Sequence, residues 1–159
     1  RKSQGIWRKA DSHQYHVAWR VKFTPGEIKA VSRKNGKTVA TQVIRTAAQP
    51  DRIKLTPDRT VMTANGKSLT FVTVEVVDKE GNLCPHADNQ VFFQLEGNAT
   101  IAGVDNGSQW SLERYKDNKR RALYGKCMVV IQAGKQPSKV KLTAKAYDLK
   151  DGSTEITVK

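Results

Sequence analysis

The sequence predicts an all-β fold. Three observations carry that prediction. Apolar residues recur at every second position through most of the chain, turn-forming residues interrupt those runs roughly every ten residues, and no stretch shows a 3.6-residue apolar period. With 38% hydrophobic residues and only five prolines in 159 residues, the chain can bury a core, and its length fits one ordinary domain or two small ones.

The elements follow in order. "HVAWRVKF" places Val17, Trp19, Val21 and Phe23 on one side and Ala18, Arg20 and Lys22 on the other, which predicts a half-buried strand. Thr24, Pro25 and Gly26 make a turn. Asn35 and Gly36 between two alternating runs predict a hairpin, because both tolerate positive φ. The first unit ends near Thr46, so residues 1–46 read as the last strands of a preceding β-sandwich. From residue 47, two prolines and an Asn-Gly pair mark a linker leading into an edge strand at Ile53 and Leu55. Strands then follow at Val72, Val74 and Val76, at Val91, Phe93 and Leu95, and at "KCMVVIQA" with apolar residues on both faces. Val140, Leu142, Ala144 and Ala146 make another strand, and "TEITVK" the last. Turns are expected at residues 78–82, 134–138 and 151–152. About seven short strands over residues 47–159 is the pattern of an immunoglobulin-like β-sandwich.

Charge is unevenly spread. The net charge is +13, of which residues 1–46 carry +9 (eleven Lys/Arg, two acids) and residues 47–159 carry +4 (seventeen against thirteen). A polyanion partner would be the first inference from such a balance. The basic residues mostly alternate with apolar ones along strands, however, as on a solvated sheet face, so no nucleic-acid partner is expected. No run of about 18 apolar residues suggests a membrane span, and the opening residues show no signal-peptide pattern.

Candidate sites are few. "GVDNGSQWSLERYKDNKRR", residues 103–121, reads as a long connection projecting from one end of the sandwich, with contact as its role. Its acids Asp105, Glu113 and Asp117 invite comparison with the paired carboxylates of glycoside chemistry, yet spacing on a loop fixes no separation, and they read as solvated turn residues. Trp110 and Tyr115 are the candidate ligand-binding residues, for glycan stacking or an interface, and "KDNKRR" reads as solvated. Gly103 and Gly107 lack a phosphate-loop context. His13 and His16, three apart, fall on opposite faces of a strand and find no third ligand, so no metal and no cofactor are expected. Cys84 and Cys127 read as two separate thiols.

Two longer stretches carry a family resemblance. "HVAWRVKFTPGEIKAVSRKNGKTVATQVIRTAAQPDRIKLTPDR" and "NGKSLTFVTVEVVDKEGNLCPHADNQVFFQLEGNATIAGVDNGS" resemble the C-terminal accessory region of bacterial family 2 glycoside hydrolases of the β-galactosidase type. After Gly107 the family pattern is lost, then returns at Arg121, Ala122, Leu123, Tyr124 and Gly125. The resemblance implies a catalytic TIM barrel upstream as partner, whose two glutamates do the chemistry, and a periplasmic or secreted location. A barrel needs about 250 residues, and Glu113 matches neither glutamate motif, so no catalytic residue is expected here. Three roles stay open: a non-catalytic scaffold packing on the barrel or a partner subunit; a carbohydrate-binding module using Trp110, Tyr115 and Trp7; and an adhesin-like protein-binding module, which shares the fold without the chemistry.

Overall fold

A computed structural model describes residues 17–159. Trp7, His13 and His16 lie outside the described residues. The chain divides into two compact units, Arg1–Arg45 and Thr46–Lys159.

In the first unit, Glu27–Lys34 (β1) and Lys37–Arg45 (β2) form an antiparallel hairpin. Asn35 and Gly36 turn it with φ of 51° and 77°, the left-handed geometry whose twist matches two paired strands. Glu27 and Arg45 face each other across the open end and form an ion pair of 2.9 Å. The strand expected at "HVAWRVKF" does not form: residues 17–24 have no regular structure and Phe23 is strongly exposed. Alternation selects which face of a strand would be buried, but a strand exists only through ladder bonds to a neighbour. Among the described residues of this unit, only β1 and β2 supply such bonds to each other.

The second unit contains β3 (Arg52–Pro57), β4 (Val61–Met62), β5 (Leu69–Val77), β6 (Gln90–Glu96), β7 (Ala99–Asp105), β8 (Lys119–Arg121), β9 (Lys126–Ala133), β10 (Ser138–Lys145) and β11 (Gly152–Val158). They build a β-sandwich of immunoglobulin-like type from two open sheets, of order β3-β5-β9-β7 and β4-β11-β10-β6-β8. Pairing is antiparallel except for the short parallel contact of β4 with β11. Among the described residues there is no helix, hence none long and apolar enough to cross a membrane.

The two-residue period decides what fills the space between the sheets. Val72 and Val74 of β5 and Val129 and Ile131 of β9 meet Val91 and Phe93 of β6, Val140 and Leu142 of β10, and Ile156 of β11. Each such fully buried aliphatic side chain contributes about 1.5–3 kcal/mol relative to exposure. β9 is apolar on its outer face too, where Met128 and Val130 are half-buried. A smaller cluster of Val76, Cys84, Ala87 and Ala122, with Ala47 packed against it, forms a second patch of core.

The expected turn at residues 78–82 is organised by one carboxylate. Asp78 accepts hydrogen bonds from the Glu80 and Asn82 amides, the Asn82 side chain and, at 2.9 Å, the Ala48 amide, so it also fixes the segment entering the domain. The bond from Ala48, followed by that from the Asn82 side chain, holds its carboxyl down at about 2.

Two expectations fail. About seven strands become nine: the two-residue β4 falls within the expected linker, and β7 and the three-residue β8 fall within the stretch expected as a loop and the approach to it. In β7 the register shifts between Ile101 and Gly103, and this bulge breaks the alternation that would reveal a strand. The turn expected at 151–152 lies earlier, at residues 147–150 with Asp148 at φ 57°, and Gly152 is the buried first residue of β11. A glycine is required there by close approach: a Cβ would stand 2.5 Å from the Ile53 carbonyl oxygen.

Candidate functional site

The stretch 103–121 is not a single loop. It starts in edge strand β7 of one sheet and ends in edge strand β8 of the other, where Arg121, Arg120 and Lys119 pair with Gln90, Val91 and Phe92 of β6. Residues 106–118 connect the two sheet edges, bonding to both: the Val104 amide donates to the Tyr115 carbonyl at 2.8 Å, and the Phe93 amide to the Asn118 carbonyl at 2.7 Å.

Arg120 organises this connection. Alternation along β8 points Lys119 and Arg121 outward and Arg120 inward, where it is fully buried. Its Nη1 donates to the Glu113 carbonyl at 3.1 Å, and its Nη2 to Asn106 Oδ1 at 3.0 Å and Asp105 Oδ1 at 3.4 Å. Nε finds no hydrogen-bond partner and lies 3.7 Å from Glu113 Oε2. The guanidinium stands 5.2 Å from the centre of the Tyr115 ring. A buried guanidinium requires such partners, because its desolvation is otherwise uncompensated.

The acids are occupied by this arrangement. Asp105 Oδ1 also accepts the Asn106 and Gly107 amides, and Glu113 accepts Gln90 Nε2, the Arg121 amide and the Ser111 hydroxyl. They serve one arginine and a set of backbone amides, a role different from that of an acid and a base flanking a scissile bond. Among the described residues no group of three or more His, Cys, Asp or Glu could hold a metal ion.

The two sequence-predicted site residues have different settings. Tyr115 is 61% exposed but held through its carbonyl and its ring, whereas Trp110 is 75% exposed and Leu112 fully exposed. Arg120 lies within "KDNKRR", expected to be solvated, and its burial corrects that expectation. The available signal was its shared face with Ala122, which is buried two positions later. Cys84 and Cys127 are separate, buried thiols. Burial pushes Cys127 up to about 12, and burial together with the charge of Asp78 raises Cys84.

The fold and this site define a β-sandwich module whose connection between two sheet edges is anchored by a buried arginine. Residues 53–155 match the glycoside hydrolase family 2 C-terminal domain 5, and residues 1–40 match DUF4982, a domain of unknown function. The chain belongs to glycoside hydrolase family 2, as a C-terminal domain 5 region. It is 56% identical over 156 residues to a β-galactosidase of Bacteroides ovatus, covering 98% of this chain and 18% of that protein. Among solved structures, a β-glycosidase from Bacteroides vulgatus is similar with a TM-score of 0.83 and 31% identity, over 88% of this chain and 18% of that one. A family 2 member from Bacteroides cellulosilyticus gives 0.80 and 36%, over 89% and 18%. The chain therefore spans less than a fifth of the length of these relatives.

Proposed function

We propose that this chain is the non-catalytic C-terminal accessory region of a β-galactosidase-like hydrolase, working outside the cytoplasm in the periplasm or as a secreted protein, and that Trp110 and Leu112 pack on the catalytic part of the same longer protein. The observation that carries the reading is the anchored loop: a fully buried Arg120 fixes its backbone while Trp110 and Leu112 stand in water. Interfaces draw most of their energy from a few anchors, tryptophan prominent among them, and pre-ordering lowers the entropy lost on docking. The engagement of Asp105 and Glu113 by Arg120 supports the absence of catalysis in this segment.

Two measurements test it. The purified 159-residue chain should leave chromogenic β-galactosides intact, and hydrolysis by it would overturn the non-catalytic reading. In the longer hydrolase, Trp110→Ala with Leu112→Ala should lower the melting temperature of the whole protein. In the isolated chain the same changes should cost no more than about 0.5 kcal/mol, as expected for exposed positions. An equal effect in both would remove the interface. A second reading, carbohydrate stacking on Trp110 and Tyr115, is favoured by their exposure, and retardation of the isolated chain in polysaccharide gels that Trp110→Ala abolishes would support it over the scaffold.

A further inference from the structure

Beside the anchored loop, the β7 edge of the four-stranded sheet is open to solvent. There β7 and the returning residues 116–118 border an open groove of about 550 Å³. We propose that this groove binds a neutral saccharide. Ala102, the residue at the bulge, borders it, whereas the Ile101 side chain, paired with the buried Ile131, turns to the core and leaves only its backbone to the groove. Thr100 and Gln132 are cross-strand partners, so their side chains share the outer face and border the groove together. The Gln132 amide nitrogen donates to the Gly66 carbonyl, which orients the side chain and leaves its oxygen as an acceptor. On the opposite wall, Asp117 Oδ1 accepts the Asn118 amide at 2.7 Å, leaving the second carboxylate oxygen for a ligand, and Lys116 and the Asn118 side chain add donors.

The wall is fixed in place by the bonds from Val104 to Tyr115 and from Phe93 to Asn118. Carboxylate, carboxamide, hydroxyl and ammonium groups around one open groove suit the vicinal hydroxyls of a sugar, which donate and accept at adjacent positions. One carboxylate beside one ammonium gives no net charge to attract a phosphate or a polycation. The bulge between Ile101 and Gly103 distorts the strand edge at which a peptide would otherwise add. This site is separate from Trp110, and its failure would leave the scaffold reading untouched.

The experiment is affinity electrophoresis of the 159-residue chain through gels containing a galactan, a mannan or a glucan, beside Asp117→Ala, Gln132→Ala and Trp110→Ala, with thermal melts confirming that each variant folds. The expected result is retardation on at least one polymer. It should be weakened about 10- to 100-fold by Asp117→Ala, the loss of one charged hydrogen bond, and should survive in Trp110→Ala. Absence of retardation on all three polymers would overturn the proposal. So would retardation that a folded Asp117→Ala variant keeps, or that Trp110→Ala alone abolishes, which would move the sugar to the loop tip.

Discussion

Replacing Arg120 with Met keeps much of the side-chain volume and removes the guanidinium. It deletes donors to the Glu113 carbonyl, Asn106 Oδ1 and Asp105 Oδ1, and the contact with the Tyr115 ring. Breaking a buried ion pair from one side typically costs about 3–5 kcal/mol, because the partner is left charged in a dry site. Here the partners can rehydrate, since the Asp105 and Glu113 side chains are 40% and 30% exposed, and Glu113 keeps its bonds from Gln90 and Arg121. The Glu113 carbonyl, which loses its arginine donor, sets the lower end. A loss of about 2–4 kcal/mol follows, equivalent to roughly 8–16 °C in melting temperature for a domain of this size. Urea and thermal unfolding measure it. Trypsin provides a local readout: cleavage after Arg114, Lys116 or Lys119 should accelerate in the variant under native conditions. Arg120→Lys should fall between, since one ammonium cannot reproduce the fork that reaches Glu113 and Asn106 together. A variant within about 0.5 kcal/mol of the parent, with an unchanged tryptic pattern, would refute the claim that Arg120 anchors the loop.

Other outcomes follow from the same structure. Asp78 has a folded value of about 2 against an ordinary 3.8, so its stabilising bonds are present above pH 3.8 and are lost as pH falls from there towards 2; the melting-temperature gap between the parent and Asp78→Asn should therefore close over that interval, and a gap constant down to pH 2 would contradict the assignment. The two thiols should resist Ellman's reagent at pH 8 in the folded chain and release two equivalents in denaturant, since both are buried with raised values; rapid native labelling of Cys127 would show that the core opens around it. Gly152→Ala should destabilise by more than 1 kcal/mol in urea unfolding, because its Cβ would meet backbone of β3 that cannot yield as a flexible side chain does, and a neutral result would mean that β11 shifts freely against β3.

The sequence alone was sufficient for the architecture wherever a strand has one wet face and one dry face. β5, β6, β10 and β11 announce themselves through alternation, and Asn35 and Gly36 locate a hairpin because few residues adopt left-handed φ cheaply. Motif resemblance carried the family. Tertiary structure decided the rest, for three physical reasons. A strand needs a neighbour, so the alternating pattern at "HVAWRVKF" was not enough to make one among the described residues. A bulge at Ala102 erases the period of β7, although the strand pairs with β9 on either side of it. Whether a charged residue is solvated depends on partners distant in sequence: Arg120 resembles its neighbours Lys119 and Arg121, and only the meeting of β8 with Asp105, Asn106 and Glu113 makes it a buried anchor. The groove at Thr100 and Gln132 is of the same kind, because residues 32 positions apart share a face only once register is set.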